Sequence, residues 1–170
     1  MDPTYKRKRL NEGHCVEAVA RSEQMLYACQ LTVDPNTANP NLKLSEGNRK
    51  VTWVDEVQAY EDHADRFDHV PQVLCREALS GSRFYWEVDW HSGNAVIGVA
   101  YHGINRKSEG CDSRLGSNNM SWSLYCSDNG YYFYDAGIPQ RSIAGVVFRR
   151  VGVYLDWLVL CLSSAFPLGI

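Results

Sequence analysis

No apolar run in the 170-residue sequence reaches the ~20 residues that a membrane-crossing helix needs. Residues 1–11 have no apolar core, so they read as no signal peptide. Charge of one sign is also lacking. The net charge of -3 supplies no overall field to gather nucleic acid or an anionic membrane. The six cysteines, Cys15, Cys29, Cys75, Cys111, Cys126 and Cys161, form no CxxC pair. A secreted disulfide scaffold is smaller and denser in cysteine, so these read as reduced, mostly buried thiols of a cytoplasmic protein. The histidines show no HxxxH or HExxH spacing, and neither a P-loop nor GxGxxG occurs. No metal or cofactor is expected.

Ordinary globular composition is present: 45% hydrophobic residues, 22% charged residues, and enough chain for one domain. The polar start carries the basic run Lys6-Arg7-Lys8-Arg9, open to reading as a nuclear import signal or as a solvated tail. Val16, Val19, Ala20 and Leu26 allow one or two helical turns. Beyond Ala28 the pattern changes to short apolar runs divided by turn signals: Asp34-Pro35-Asn36, Asn39-Pro40-Asn41 and Glu46-Gly47-Asn48. Strands are expected at 30–33, 42–44, 50–54 and 73–75.

The clearest period-2 segment runs from Phe84 to Trp90. Phe84, Trp86, Val88 and Trp90 share one face, and Tyr85, Glu87 and Asp89 the other, read as polar and outward. Residues 95–101 are apolar on both faces. Trp122, Leu124 and Cys126 alternate inward, Asp128-Asn129-Gly130 signals a hairpin, and 131–134 is its return strand. Val151, Val153, Leu155 and Trp157 share a face. Many short strands and no strong helix predict an all-β antiparallel sandwich or barrel. The expected core is Trp86, Val88, Trp90, Ile97, Val99, Trp122, Leu124, Val153 and Leu155.

These blocks resemble the PRY-SPRY family. Gln30-Leu31-Thr32-Val33-Asp34-Pro35 is similar to its opening, and residues 42–51 to its "L-x-L-S-E-x-x-R-x-V" segment. Arg66-Phe67-Asp68, Val73-Leu74-Cys75, Ser80-Gly81 and Tyr85-Trp86-Glu87-Val88 are similar to the junction between its halves. Ser121-Trp122-Ser123-Leu124 and Val151-Gly152-Val153-Tyr154-Leu155-Asp156 are similar to two later strands. The wording is nearest to copies in fish NACHT-type immune receptors and tripartite-motif proteins. The resemblance covers about residues 27–157, with 1–26 a polar segment or linker and 158–170 outside the family pattern.

It implies a bent antiparallel β-sandwich that binds a protein or peptide through its loop rim without catalysis, in innate immune sensing or ubiquitin-ligase-type receptors. The rim loops would be 55–67, 101–119 and 136–150. The implied contact residues are Tyr60, Tyr101, Arg106, Tyr125 and Ser127, with Tyr125 and Ser127 outward just beyond the core tryptophan. The other reading of Tyr125 is packing on Tyr132 or Tyr134 across the hairpin.

The tail departs from the pattern. After Trp157 the family continues "A-G-T-L-S-F", and this chain reads Leu158-Val159-Leu160-Cys161-Leu162. Tryptophan has one codon, TGG. Read from its last base, codons permitted for the following residues spell Ala-Gly-Thr-Leu-Ser-Phe. The tail is therefore read as a frameshifted remnant, the other reading being a genuine final strand. Missing last strands would leave unpaired edges that invite self-association.

Two further functions compete with this reading. One is a non-functional or regulatory truncated fragment. The other is an enzyme using Cys111 with a distant histidine, or the Glu87/Asp89 face. Nucleic-acid binding through Arg106-Lys107 and Arg149-Arg150 ranks below protein recognition, and no membrane partner is expected.

Overall fold

The computed structural model describes residues 21–135, 137–145, 147–157 and 161–165. The basic run Lys6 to Arg9, the helical reading of 15–20 and parts of the tail lie outside the described residues. All named strands pair antiparallel, in a three-stranded sheet β3-β8-β9, a four-stranded sheet β4-β5-β6-β7 and a two-stranded sheet β1-β2. The chain divides into two compact units.

The first unit holds the described parts of Met1–Cys29, Leu79–Asp89 and Arg150–Ile170. Its sheet pairs β3 (Arg83–Asp89) with β8 (Arg150–Asp156), and β8 with β9 (Cys161–Ala165). Thus part of the tail after Trp157 forms a strand, its residues Cys161 and Leu162 opposite Asp156 and Leu155. A short helix α1 (Arg21–Gln24) and a 3-10 turn at Met25–Tyr27 lead to Ala28, which bridges Tyr85. This leading segment lies on the β3 face expected to point outward. Tyr85 is only 3% exposed there, and the Tyr27 ring stands edge-on to Tyr154. The outward reading is therefore corrected at Tyr85, while Glu87 and Asp89 are exposed as expected. Alternation shows that one strand face is buried, but an aromatic within the polar set marks a place where the other face is covered too.

The second unit holds Gln30–Ala78 and Trp90–Arg149. Its hairpin β1 (Leu42–Ser45) and β2 (Lys50–Trp53) turns through Glu46, Gly47 and Asn48, all with positive φ. Asn and Gly tolerate that geometry, which is why the turn signal in the sequence is strong. The strands expected at 30–33 and 73–75 shrink to one bridge, Val33 with Cys75. The larger sheet runs β4 (Ala95–Ala100), β5 (Ser121–Ser127), β6 (Gly130–Asp135) and β7 (Ile138–Ala144). The β5–β6 turn is closed by Asp128 and Asn129, with Gly130 carrying the positive φ as the first residue of β6. β7 lies within the expected rim loop 136–150. Pro139 disguises it: an edge strand tolerates proline, and the pairing slips nearby at Phe133/Tyr134.

Of the expected core, Trp90, Leu124, Val153 and Leu155 are buried. Trp86, Val88, Ile97, Val99 and Trp122 are only partly buried. Ile97 and Val99 sit on β4, which has a strand neighbour on one side only among the described residues. Trp90 donates its indole N–H to the Phe148 carbonyl (2.9 Å) and meets Tyr131 edge-on.

Candidate functional site

Register decides which side chains on the four-stranded sheet stand together. Val96 of β4 pairs with Tyr125 of β5, which pairs with Tyr132 of β6. The three therefore form a row across one face. Val96 is 46% and Tyr132 37% exposed, while Tyr125 is half-buried between them. The Tyr125 and Tyr132 rings lie 6.2 Å apart, tilted by 54°. Along β5 the same face carries Ser121 and Ser123, both covered by residues 115–116. Gly116 donates its amide to Ser121 Oγ (2.8 Å), and Ser123 Oγ donates to the Leu115 carbonyl (3.3 Å). The face is thus closed at one end and open at the tyrosine row.

The other expected contact residues occupy different places. Ser127 is buried, and its hydroxyl donates to the Gly130 carbonyl (2.9 Å) across the hairpin. The outward placement expected for it is corrected: the turn needs that hydroxyl. Tyr101 packs edge-on against Trp122 at 5.7 Å, on the face opposite Tyr125. Tyr60 donates its hydroxyl to the Leu42 carbonyl (2.7 Å), and the Arg66 guanidinium lies over its ring at 5.1 Å. No contact recorded among the described residues joins Tyr125 to Tyr60, Tyr101 or Arg106.

Arg106 acts as a clasp between two loops. It donates to Asp65 Oδ1 (2.8 Å) and to the His102 carbonyl (2.9 Å), and only 10% of its side chain is exposed. Lys107 adds bonds to Asp68 Oδ1 (2.8 Å) and the Arg66 carbonyl (2.9 Å). These contacts fix 62–68 against 102–107, around a cleft of about 320 Å³ lined by Asp62, His63, Ala64, Arg66, Asp68 and Lys107. Both signs of charge face it, and Cys111 is not among its lining residues.

The remaining chemistry singled out in the sequence is occupied. Glu87 accepts from Arg21 (2.7 Å) and Tyr85 (2.7 Å). The Arg21 and Tyr85 hydrogen bonds hold its carboxyl below the ordinary carboxylate range. Asp89 receives a bidentate pair from Arg150, at 2.7 and 2.8 Å. An ion-paired carboxylate is a poor general acid at neutral pH. Arg149 is held by Asp128 (2.9 Å) and lies over the Trp90 ring at 4.3 Å. Each member of the two basic pairs thus has a carboxylate partner. No group of three potential metal ligands occurs among the described residues.

The sequence names Tyr132 only as a packing partner of Tyr125, and the short Asp128-Asn129 turn sets the two opposite each other. Val96 carries no such signal: residues 95–101 are apolar on both faces, and residues 101–120 separate β4 from β5.

Residues 31–79 match the family model of PRY, the SPRY-associated domain. Neoverrucotoxin subunit beta of Synanceia verrucosa is 42% identical over 81% of this chain and 19% of its own length. Tripartite motif-containing protein 16 of Mus musculus is 34% identical over 83% of this chain and 25% of its own length. The chain therefore spans about a fifth to a quarter of these relatives. Among solved structures, the crystal structure of the TRIM65 PSpry domain matches with a TM-score of 0.76 and 26% identity, over 85% of this chain and 75% of that one. A stonustoxin structure matches with a TM-score of 0.74 and 40% identity, over 85% of this chain and 22% of that one. Relatives named as toxin subunits show that the family is not confined to immune receptors. With its antiparallel sheets, its PRY segment and these neighbours, the chain belongs to the PRY-SPRY domain family and has that family's β-sandwich fold.

Proposed function

We propose that this chain is a non-catalytic module that recognises a protein or peptide through the open end of the β4–β5–β6 face. The supporting observation is the row Val96, Tyr125 and Tyr132, which leaves apolar area and two tyrosine rings on a rigid sheet rather than on loops. Tyrosine suits such a site because it brings large contact area and a hydroxyl at small entropic cost. Tyr60 and Arg106 enter this reading as supports of the neighbouring loops, and Tyr101 as a support for Trp122. A cytoplasmic receptor of the tripartite-motif or NACHT type is the setting that fits the reduced thiols and the mouse relative. The domain would run over residues 27–157, led by a segment at 1–26.

The test is a peptide-display selection on the intact chain, followed by titration of the selected peptide against Tyr125→Ala and Tyr132→Ala. Loss of about 2 kcal/mol in binding, beyond the small loss of stability expected from the cross-strand contact, supports the surface, as for an interface anchor. Peptides that bind both variants as tightly as the parent remove the tyrosine row from the site.

A further inference from the structure

The two edges of the β1–β2 hairpin are treated differently. The outer edge of β1 is taken at Leu42, whose amide donates to the Asn39 carbonyl (2.9 Å) and whose carbonyl accepts the Tyr60 hydroxyl. β2 has no such cover among the described residues. The Val54 amide donates to the Asn41 carbonyl (2.9 Å), and register then makes Lys43–Thr52 and Ser45–Lys50 the bonded pairs. The backbone groups of Val51 and Trp53 therefore point away from β1. All four residues of β2 are exposed, Trp53 at 58%, and no strand pairs with its outer edge among the described residues.

Charge at the ends of β2 is of opposite sign. Arg49, which donates to Gln30 Oε1 (2.6 Å), and Lys50, paired with Glu46 (3.0 Å) on the exposed turn, stand at its start, and Asp55 and Glu56 just past its end. Edge strands are ordinarily guarded by like charges that repel a second strand. Here the guards attract a strand running the other way and repel one running in parallel register.

We infer that β2 is a self-recognition edge, through which two copies of this chain pair antiparallel about a two-fold axis at Thr52. In that register Val51 of each copy faces Trp53 of the other. Both are the residues whose backbone groups point outward, so the hydrogen-bond phase is satisfied on both strands. Arg49 of each copy then lies opposite Asp55 of the other. The arrangement is isologous and closed, as a two-fold interface must be. It rests on residues 49–56 alone and is independent of the tyrosine row. The edge is short and its area is below that of a standard interface, so the dimer is weak and concentration-dependent.

The test is sedimentation velocity on the full chain over a dilution series. The parent should pass from monomer to dimer, and Tyr132→Ala should do the same. Two charge-reversed chains, Arg49→Glu with Lys50→Glu and Asp55→Lys with Glu56→Lys, should each dimerise at least about tenfold more weakly. An equimolar mixture of the two should restore the dimer. A parent that stays monomeric overturns the inference. So does association equally strong in both reversed chains, which would assign it to another edge. Hydrogen exchange on the unaltered chain gives a second reading that needs no variant. The Val51 and Trp53 amides should be protected at high concentration and lose protection on dilution, and concentration-independent exchange at both overturns the proposal.

Discussion

Tyr125 and Tyr132 face each other across the β5–β6 hairpin, their ring centroids 6.2 Å apart. The contact means that the exposed tyrosine row is also part of the sheet's own packing. Tyr125 has Val96 on its other side, so each ring is held by its neighbours before any ligand arrives. Such an anchor loses little freedom on binding.

The first prediction separates the two roles. A double-mutant cycle on Tyr125→Ala and Tyr132→Ala should give a coupling of ~0.2–1 kcal/mol in urea unfolding, the range for cross-strand pairs. Strictly additive effects would show that the rings do not support one another.

How far this was legible in the sequence depends on the kind of signal. The β4–β5–β6 sheet could be read because β5 alternates, the turn after Ser127 is short, and β4 is apolar on both faces. The family blocks could be read because several motifs fall in order. Tyr85 was misplaced because the segment that buries it, Arg21 to Ala28, is remote in sequence and reads as a polar linker. The resemblance sets Ser127 and Arg106 at the rim, and the structure uses each inside the unit, one in a turn and one in a clasp between loops. Sequence shows which groups are polar; it does not show which already have partners.

The second prediction concerns Gly98. A Cβ there would press on the Trp122 carbonyl oxygen and lie 3.2 Å from Ser123 Cβ, within the β4–β5 pairing itself. Backbone cannot move aside as a side-chain tip can, so Gly98→Ala should cost ~1–3 kcal/mol, as for overpacking. Gly103→Ala meets only Met120 Cε at 3.4 Å and should change stability far less. Equal urea midpoints for the two variants would contradict the close approach.

A third expectation uses the cysteines. Cys126 is fully buried, and burial pushes its thiol up to about 11. Cys75 and Cys111 are exposed. Alkylation at neutral pH, mapped by mass spectrometry, should therefore label Cys111 and Cys75 quickly and Cys126 only on unfolding. Because folding raises the Cys126 pKa, its contribution to stability is intact below the unfolded value and fades as pH rises toward about 11. Rapid labelling of Cys126 in the folded chain would place it outside the core.

The final prediction concerns how the leading segment is held. Glu87 receives Arg21 and Tyr85, and both hydrogen bonds favour its charged form. Tyr85 is shifted the other way: burial raises its pKa, and so does the bond it donates to Glu87. The signs then fix a pH window. A carboxyl lowered on folding contributes stability above its unfolded pKa, and that contribution is lost as pH falls through the folded value. A phenol raised on folding contributes below its unfolded pKa and loses its contribution as pH rises through the folded one. The attachment of Arg21 to Ala28 should therefore be firmest between the two limits and loosen first in acid. Glu87→Gln keeps the shape and removes the charge. It should melt below the parent at neutral pH, and the gap should close once the medium falls below the ordinary carboxylate range. Hydrogen exchange at the Cys29 amide, which donates to the Tyr85 carbonyl (2.8 Å), reports the attachment directly. It should speed up in the parent on acidification, after correction for intrinsic exchange, and change little with pH in Glu87→Gln. A melting gap that persists unchanged into acid would show that Glu87 acts through packing alone.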